Sequence, residues 1–244
     1  MKKADLPPLT MHGFEAAGKE RTYWANEPVS TPQFILIVFH GNGGTAEGFA
    51  KKYALHDLMP EGLIVYLQGI PGIGGGFDPK GLKNGWQRKK GDGDDRDLYA
   101  IDILVNELIT KFPDFKEKVY AMGHSNGGRF MYLLWSQRSA LFKGFIINAH
   151  QGVDLIESGI EPRSAMIITG RQDRVVNNAN QLKSAELVKA LLKCDQSQVV
   201  NDELTIYSNK SNAMCLHHYI HIGGHDLPKP DLKFIKSFIE RELC

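Results

Sequence analysis

The sequence predicts a single α/β domain, a mostly parallel, doubly wound sheet with an antiparallel hairpin at its N-terminal edge. Three observations predict it. Strand-like and helix-like stretches alternate through most of the chain, with no composition break that would mark a linker and no internal repeat. The longest strand-like run, Phe34-Ile35-Leu36-Ile37-Val38-Phe39, is apolar without alternation, the mark of a strand covered on both faces. A Gly-x-Ser-x-Gly turn, Gly123 to Gly127, stands between an apolar run and a helix-like run.

Composition narrows the class without naming a partner. The chain has 244 residues, enough for one large domain with a substantial core. It is 42% hydrophobic and 23% charged, ordinary for a globular protein, and its net charge of +1 gives no electrostatic case for nucleic acid or an anionic membrane. The basic cluster Arg88-Lys89-Lys90 is followed by Asp92, Asp94, Asp95 and Asp97, which reads as a self-compensating loop. No stretch approaches the ~20 apolar residues of a membrane-spanning helix. Met1-Lys2-Lys3 leads into Ala-Asp-Leu-Pro-Pro rather than an apolar core, so the expectation is either a cytoplasmic chain or an exported one with its leader removed. Three cysteines, Cys194, Cys215 and Cys244, permit one bridge and one free thiol, and equally three reduced thiols.

Taken in order, residues 1–12 read as a loosely held arm carrying Pro7-Pro8, and 13–244 as the domain. Alternating pieces from Gly13 to Pro28 predict the edge hairpin. The buried strand through Phe39 ends in His40-Gly41-Asn42-Gly43-Gly44-Thr45, followed by a helix from about Ala46 to Met59 and a short strand, Leu63 to Leu67. Gln68 to Asp94 is a long glycine-rich stretch without periodicity, of the kind that is functional or disordered. Asp95 to Phe112 is helical, with Leu98, Ile101, Val105 and Leu108 on one face. The elbow strand and its helix follow, then strands at Gly144 to Ala149 and Ala165 to Thr169 and a helix at Ala179 to Leu192. Strands at Val199 to Tyr207 and Leu216 to Ile222 and a closing helix from Asp231 to Glu242 complete the chain.

The candidate chemistry centres on Ser125. Glycines around it permit a turn sharp enough to lift the hydroxyl out of the backbone, and the next helix starts beneath it with its positive end facing the reacting atom. A serine hydroxyl needs a general base, and the base an orienting carboxylate. Asp173 stands just past the strand ending at Thr169, and His225 just past the one ending at Ile222, where sheets of this kind put their catalytic groups. Taken singly, Asp173 reads sooner as a surface turn residue or a salt-bridge partner of Arg171 or Arg174 than as a catalytic acid, with Asp154 and Asp195 as less well placed competitors. His217, His218 and His221 lie within a strand and His124 points away from Ser125 on the turn, so these read as structural. An oxyanion needs donors: the backbone N–H of Asn126, after the nucleophile, and one from the His40–Gly44 loop, Asn42 with Gly43 as the near alternative. That loop lacks the endings of a phosphate-binding or dinucleotide-binding loop. Asp92 to Asp97 departs from a calcium loop at Arg96, and no Cys/His cluster has zinc spacing.

Together, His40-Gly41-x-Gly43-Gly44, Gly85-Trp86, Gly123-His124-Ser125-Asn126-Gly127-Gly128, Asp173-x-Val175-Val176 and Gly223-Gly224-His225 resemble the polyhydroxybutyrate depolymerase and feruloyl esterase group of α/β-hydrolases, from about Gly13 to the C-terminus. The resemblance implies a Ser125–His225–Asp173 triad with no cofactor and no metal. It also implies a bridge between Cys194 and Cys215, and with it export. Trp86 would correspond to a wall of the acyl or aromatic pocket, or else to a buried structural tryptophan. The group's Trp-Pro after the histidine is replaced here by Asp226-Leu227-Pro228, and the expectation is a chain without a polymer-binding appendage, which favours a small or soluble ester. The expectation is a serine carboxylic-ester hydrolase acting on a feruloyl, acetyl or hydroxyalkanoate ester. The rivals are a small peptidase or amidase on the same fold and a non-catalytic relative that binds a ligand.

Overall fold

A computed structural model of the chain describes residues 9–28, 31–73, 78–210 and 212–243. Ten strands among them form one sheet, in the order β1-β2-β4-β3-β5-β6-β7-β10-β9-β8. The centre is parallel: β3 (Ile35–Phe39) lies between β4 (Leu63–Leu67) and β5 (Val119–His124), followed by β6 (Gly144–Asn148), β7 (Ser164–Gly170) and β10 (Asn212–His221). Every residue of β3, β4, β6 and β7 is buried, as continuous apolar runs require. Alternate side chains feed two apolar layers. One packs against α3 (Arg96–Lys111), α4 (Asn126–Arg138) and α6 (Asn178–Leu191); the other packs against α1 (Ala46–Tyr53), α2 (Leu55–Leu58) and α7 (Leu232–Leu243). A short α5 (Val153–Glu157) follows β6. Phe130 to Trp135 of α4 are buried all round, so the elbow helix is a core element. Among the described residues no helix is long and apolar enough to cross a membrane.

The expected N-terminal hairpin is present as β1 (Thr10–Ala16) and β2 (Lys19–Ala25), paired antiparallel. Its first strand begins at Thr10, inside the segment read as a loose arm; residues 1–8 of that arm lie outside the described residues. A second antiparallel pair closes the opposite edge. The single strand expected over Val199 to Tyr207 is instead β8 (Gln196–Val199) and β9 (Leu204–Asn209). Between them Asn201 Oδ1 accepts from the N–H groups of Glu203 and Leu204, at 2.9 and 2.8 Å, and turns the chain.

The helix expected from Ala46 to Met59 breaks at Ala54, which adopts φ +44°. An unbroken helix would carry His56 and Asp57 onto the face of Phe49, Ala50 and Tyr53. The left-handed residue resets the phase, so Leu55 and Met59 go into the core instead.

The disulfide is not formed. Cys194 and Cys215 are both free thiols and belong to opposite layers of the sheet. Cys194 packs with the α6 layer. Cys215 faces the α7 layer, where its Sγ donates to Glu242 Oε1 at 3.1 Å. A bridge would have to pass through the sheet.

Candidate active site

The turn after β5 holds Ser125 at φ +55°, ψ −119°, a backbone conformation that costs a non-glycine residue about 1–3 kcal/mol and persists only when its surroundings impose it. Here they do. A Cβ on Gly123 would lie 2.2 Å from the Gly127 carbonyl oxygen, and one on Gly127 would lie 2.4 Å from that of Phe39. Ser125 N–H donates to Asn148 O at 2.9 Å, and Arg129 N–H to Ser125 O at 2.9 Å. The serine is thus clamped between the end of β6 and the first turn of α4.

From Ser125 a hydrogen-bonded line crosses two further loops. His225 Nε2 lies 2.7 Å from Ser125 Oγ, and His225 Nδ1 lies 2.9 Å from Asp173 Oδ2. With Nδ1–H given to the carboxylate, Nε2 is left as the acceptor for the serine hydroxyl. The Asp173 side chain is fully buried and fully partnered. Its Oδ1 accepts from Val175 N–H at 2.8 Å and Val176 N–H at 3.0 Å, and its Oδ2 also accepts from Gln181 Nε2 at 2.9 Å. Burial alone would push this carboxyl up; the donors, His225 foremost, outweigh burial and hold it below its ordinary value.

The acid and base loops are joined through their backbones. Arg171 N–H donates to His221 O and Gln172 N–H to Gly223 O, at 2.9 and 3.0 Å. A Cβ on Gly170 would lie only 2.1 Å from Gly224 O, so a bare α-carbon is what lets the histidine loop settle beside Asp173. On its other side this loop is held by Asp226, whose Oδ1 accepts from Tyr53 Oη at 2.9 Å and Lys52 Nζ at 3.0 Å. Asn148 ties the remaining pieces: its Nδ2 donates to His124 Nδ1 at 2.8 Å and to Asp226 O at 3.2 Å.

The loop after β3 faces Ser125 closely; a Cβ on Gly41 would lie 3.2 Å from Ser125 Cβ. His40 fixes this loop. Burial lowers its pKa to about 4, so the ring is neutral. Its Nδ1 donates to Gly41 O at 2.7 Å, and its Nε2 accepts from Gly69 N–H at 2.9 Å. Of the two candidate donors in the loop, Gly43 N–H is taken by Asn84 O at 2.7 Å. Asn42 N–H has no acceptor among the described residues. Asn126 opens α4, where the first N–H groups have no carbonyl a turn earlier. Its side chain is occupied, accepting from Trp86 N–H at 2.7 Å and donating to Trp86 O at 3.1 Å.

Trp86 is not a pocket wall. It is fully buried, stacked on Phe130 at 5.7 Å, with Nε1 donating to His40 O at 2.8 Å. It supports the loop after β3 from behind. The open side of Ser125 is a cleft of about 600 Å³, lined by His40 to Thr45, Phe49, Tyr53, Lys83, His124, Val175 and His225, within the range of small-molecule sites. His124 borders the cleft, its ring 5.2 Å from that of His225, and burial lowers its pKa to about 4. His217, His218 and His221 lie in β10, and Asp154 is bound bidentately by Arg129, so none of these joins the line. Among the described residues, no three histidine, cysteine or carboxylate side chains converge where a metal ion could sit.

Sequence reasoning missed Gln181, Asn148 and Asp226. Only Asn148 left a local signal, a polar residue closing an otherwise apolar strand.

No family model matches the sequence, and no curated protein matches it. Solved structures do. An acetyl xylan esterase from Aspergillus awamori superposes with a TM-score of 0.71 at 11% identity, over 94% of this chain and 98% of that one. A ferulic acid esterase gives 0.65 at 12% identity, over 97% and 98%. A Bacillus cereus carboxylesterase gives 0.61 at 15% identity, over 91% and 94%. The chain has the α/β-hydrolase fold.

Proposed function

We propose that this protein is a serine carboxylic-ester hydrolase. The observation that carries the reading is the unbroken line Ser125 Oγ–His225 Nε2–His225 Nδ1–Asp173 Oδ2, with spacings of 2.7 and 2.9 Å and the carboxylate fully partnered. Ser125 Oγ attacks the ester carbonyl while His225 Nε2 takes its proton. Asp173 holds the ring and stabilises the imidazolium that forms. The tetrahedral oxyanion is met by the backbone N–H groups of Asn126 and Asn42, each worth about 3 kcal/mol of transition-state stabilisation. The imidazolium gives its proton to the leaving alcohol, and the acyl group remains on Ser125. Water, activated by the same histidine, then releases the acid and restores the serine.

A cleft of about 600 Å³ suits a small ester. Acetyl, feruloyl and hydroxyalkanoate esters are the first to try; the first two are acyl groups named in the fold neighbours. Ser125→Ala is expected to reduce hydrolysis of 4-nitrophenyl acetate by about 10⁴-fold or more with an unchanged circular dichroism spectrum. Undiminished hydrolysis in that variant would remove the mechanism, and faster turnover of matched amides than of esters would move the activity to an amidase.

A further inference from the structure

A second cavity, of about 670 Å³, lies at the same end of the sheet. Its walls include Arg88, Lys89, Arg129, His150, Asp154 and Asn180. It neighbours the serine through His150, which packs on the first turn of α4: a Cβ on Gly128 would lie 3.1 Å from His150 Cβ.

The cavity is lined by three cations, Arg88, Lys89 and Arg129, and three acids, Asp92, Asp154 and Glu157, but these are not paired one to one. Each of its acids is already engaged. Asp154 takes Arg129 Nη1 and Nη2 at 2.7 and 2.6 Å, and Glu157 takes Lys183 Nζ at 2.9 Å. Asp92 Oδ2 accepts from the N–H groups of Arg88 and Lys89, at 3.0 and 3.2 Å. Arg129 is spent on Asp154, and burial keeps His150 neutral, with a pKa of about 4. Among the described residues the side-chain cations of Arg88 and Lys89 have no partner. Arg88 is also held in place: Asp92 grips its N–H, and Arg129 Nε donates to its carbonyl at 3.0 Å. A half-buried arginine on a fixed backbone, its guanidinium met by none of the cavity's acids, is arranged for an external anion.

We propose that this cavity binds a carboxylate on the substrate, with the Arg88 guanidinium as its partner, so that the enzyme prefers esters carrying a free acid group. Lys89, on the rim, adds to the field. The inference rests on the esterase reading and names the substrate class for it.

Matched pairs test it. 4-Nitrophenyl hydrogen adipate against 4-nitrophenyl hexanoate puts the charge on the acyl side; 4-acetoxybenzoate against phenyl acetate puts it on the alcohol side. With rates corrected for spontaneous hydrolysis, at least one charged ester is expected to exceed its neutral twin by about 10-fold or more in kcat/KM. Arg88→Gln is expected to lower that ratio by about 10- to 100-fold. Lys90→Gln, which removes an exposed charge that does not line the cavity, should leave the ratio within about twofold. Ser125-dependent hydrolysis with no charge preference, or an equal effect of the two substitutions, overturns the inference and leaves the esterase standing. Arg88-dependent preference for 4-acetoxyphenyl phosphate over 4-acetoxybenzoate overturns the carboxylate in favour of a phosphate group. If the wild-type protein cleaves no ester, the hydrolase reading fails. Calorimetric binding of the adipate dianion then decides for the cavity by itself: binding lost in Arg88→Gln supports it, and no binding overturns it.

Discussion

His217 and His225 belong to one strand and the turn that follows it, yet they occupy opposite chemical situations. His217 is 1% exposed on β10, edge-on to Phe238 at 5.1 Å, with neither ring nitrogen partnered among the described residues. His225 stands past the strand's end with both nitrogens engaged, one by Ser125 and one by Asp173. The difference is one of position. A residue in the middle of a strand buried within the sheet meets only core and neighbouring backbone. A residue just beyond the strand's end meets the loops of several strands at once, and only there can groups distant in sequence converge. The glycines before His225 and the bare α-carbon of Gly170 make that convergence sterically possible.

The sharpest test of the contrast is to truncate both rings. His225→Ala is expected to lower kcat for 4-nitrophenyl acetate by about 10⁴-fold, while His217→Leu leaves it near wild type; comparable losses in the two would erase the distinction. Asp173→Asn, which leaves the shape and spoils the tautomer, should lower kcat by about 10³- to 10⁴-fold. Gly170→Ala should displace the histidine loop and lower kcat by about 10²-fold with secondary structure intact, and unchanged kcat would mean the two loops need not touch. The smallest effect is on stability. Removing two unpartnered buried nitrogens in His217→Leu should stabilise the protein by about 1 kcal/mol, or about 2–4 °C in Tm.

The buried histidines also set a pH dependence. Burial lowers His40, His124, His217 and His218 from 6.5 to about 4. In the unfolded chain these rings take up protons near pH 6.5, but in the folded protein only near pH 4. Their neutral forms therefore favour the folded state fully above pH 6.5, and that advantage is lost as pH falls from about 6.5 to about 4. Calorimetric Tm should be level above pH 7, fall through that window, and fall less steeply in His217→Leu. A Tm independent of pH between 7 and 4 would contradict the burial of these groups as neutral rings.

Much of the candidate site is legible in the sequence because it is written locally. Ser125 is flagged by its glycines between an apolar strand and a helix, and Asp173 and His225 each directly follow a strand. What was not legible depends on which face or which neighbour a residue meets. Cys194 and Cys215 have the spacing of a bridge and sit on opposite sides of the sheet. Trp86 follows a glycine in a loop that looked structureless, yet it is buried at 0% exposure. That loop is built on long-range polar contacts no periodicity reports. Arg21 Nη1 meets Asp97 Oδ1 at 2.9 Å, Gln87 Oε1 caps α3 at Asp97 and Leu98, and Arg96 Nη2 donates to Ile70 O at 2.7 Å. The same loop carries Arg88, whose charge looks self-compensated in sequence; in three dimensions Asp92 and Asp95 accept from backbone N–H groups and Asp97 pairs with Arg21, so none of these three meets its guanidinium.

The central claim is that the imidazole of residue 225 makes one particular hydroxyl reactive. A fluorophosphonate probe, followed by peptide mass spectrometry, reads that directly. The account predicts a single adduct, on Ser125, in the wild-type protein, and none on the same timescale in the folded His225→Ala variant. A folded wild-type protein that takes no label at Ser125, or a variant labelled at the same rate, would contradict it.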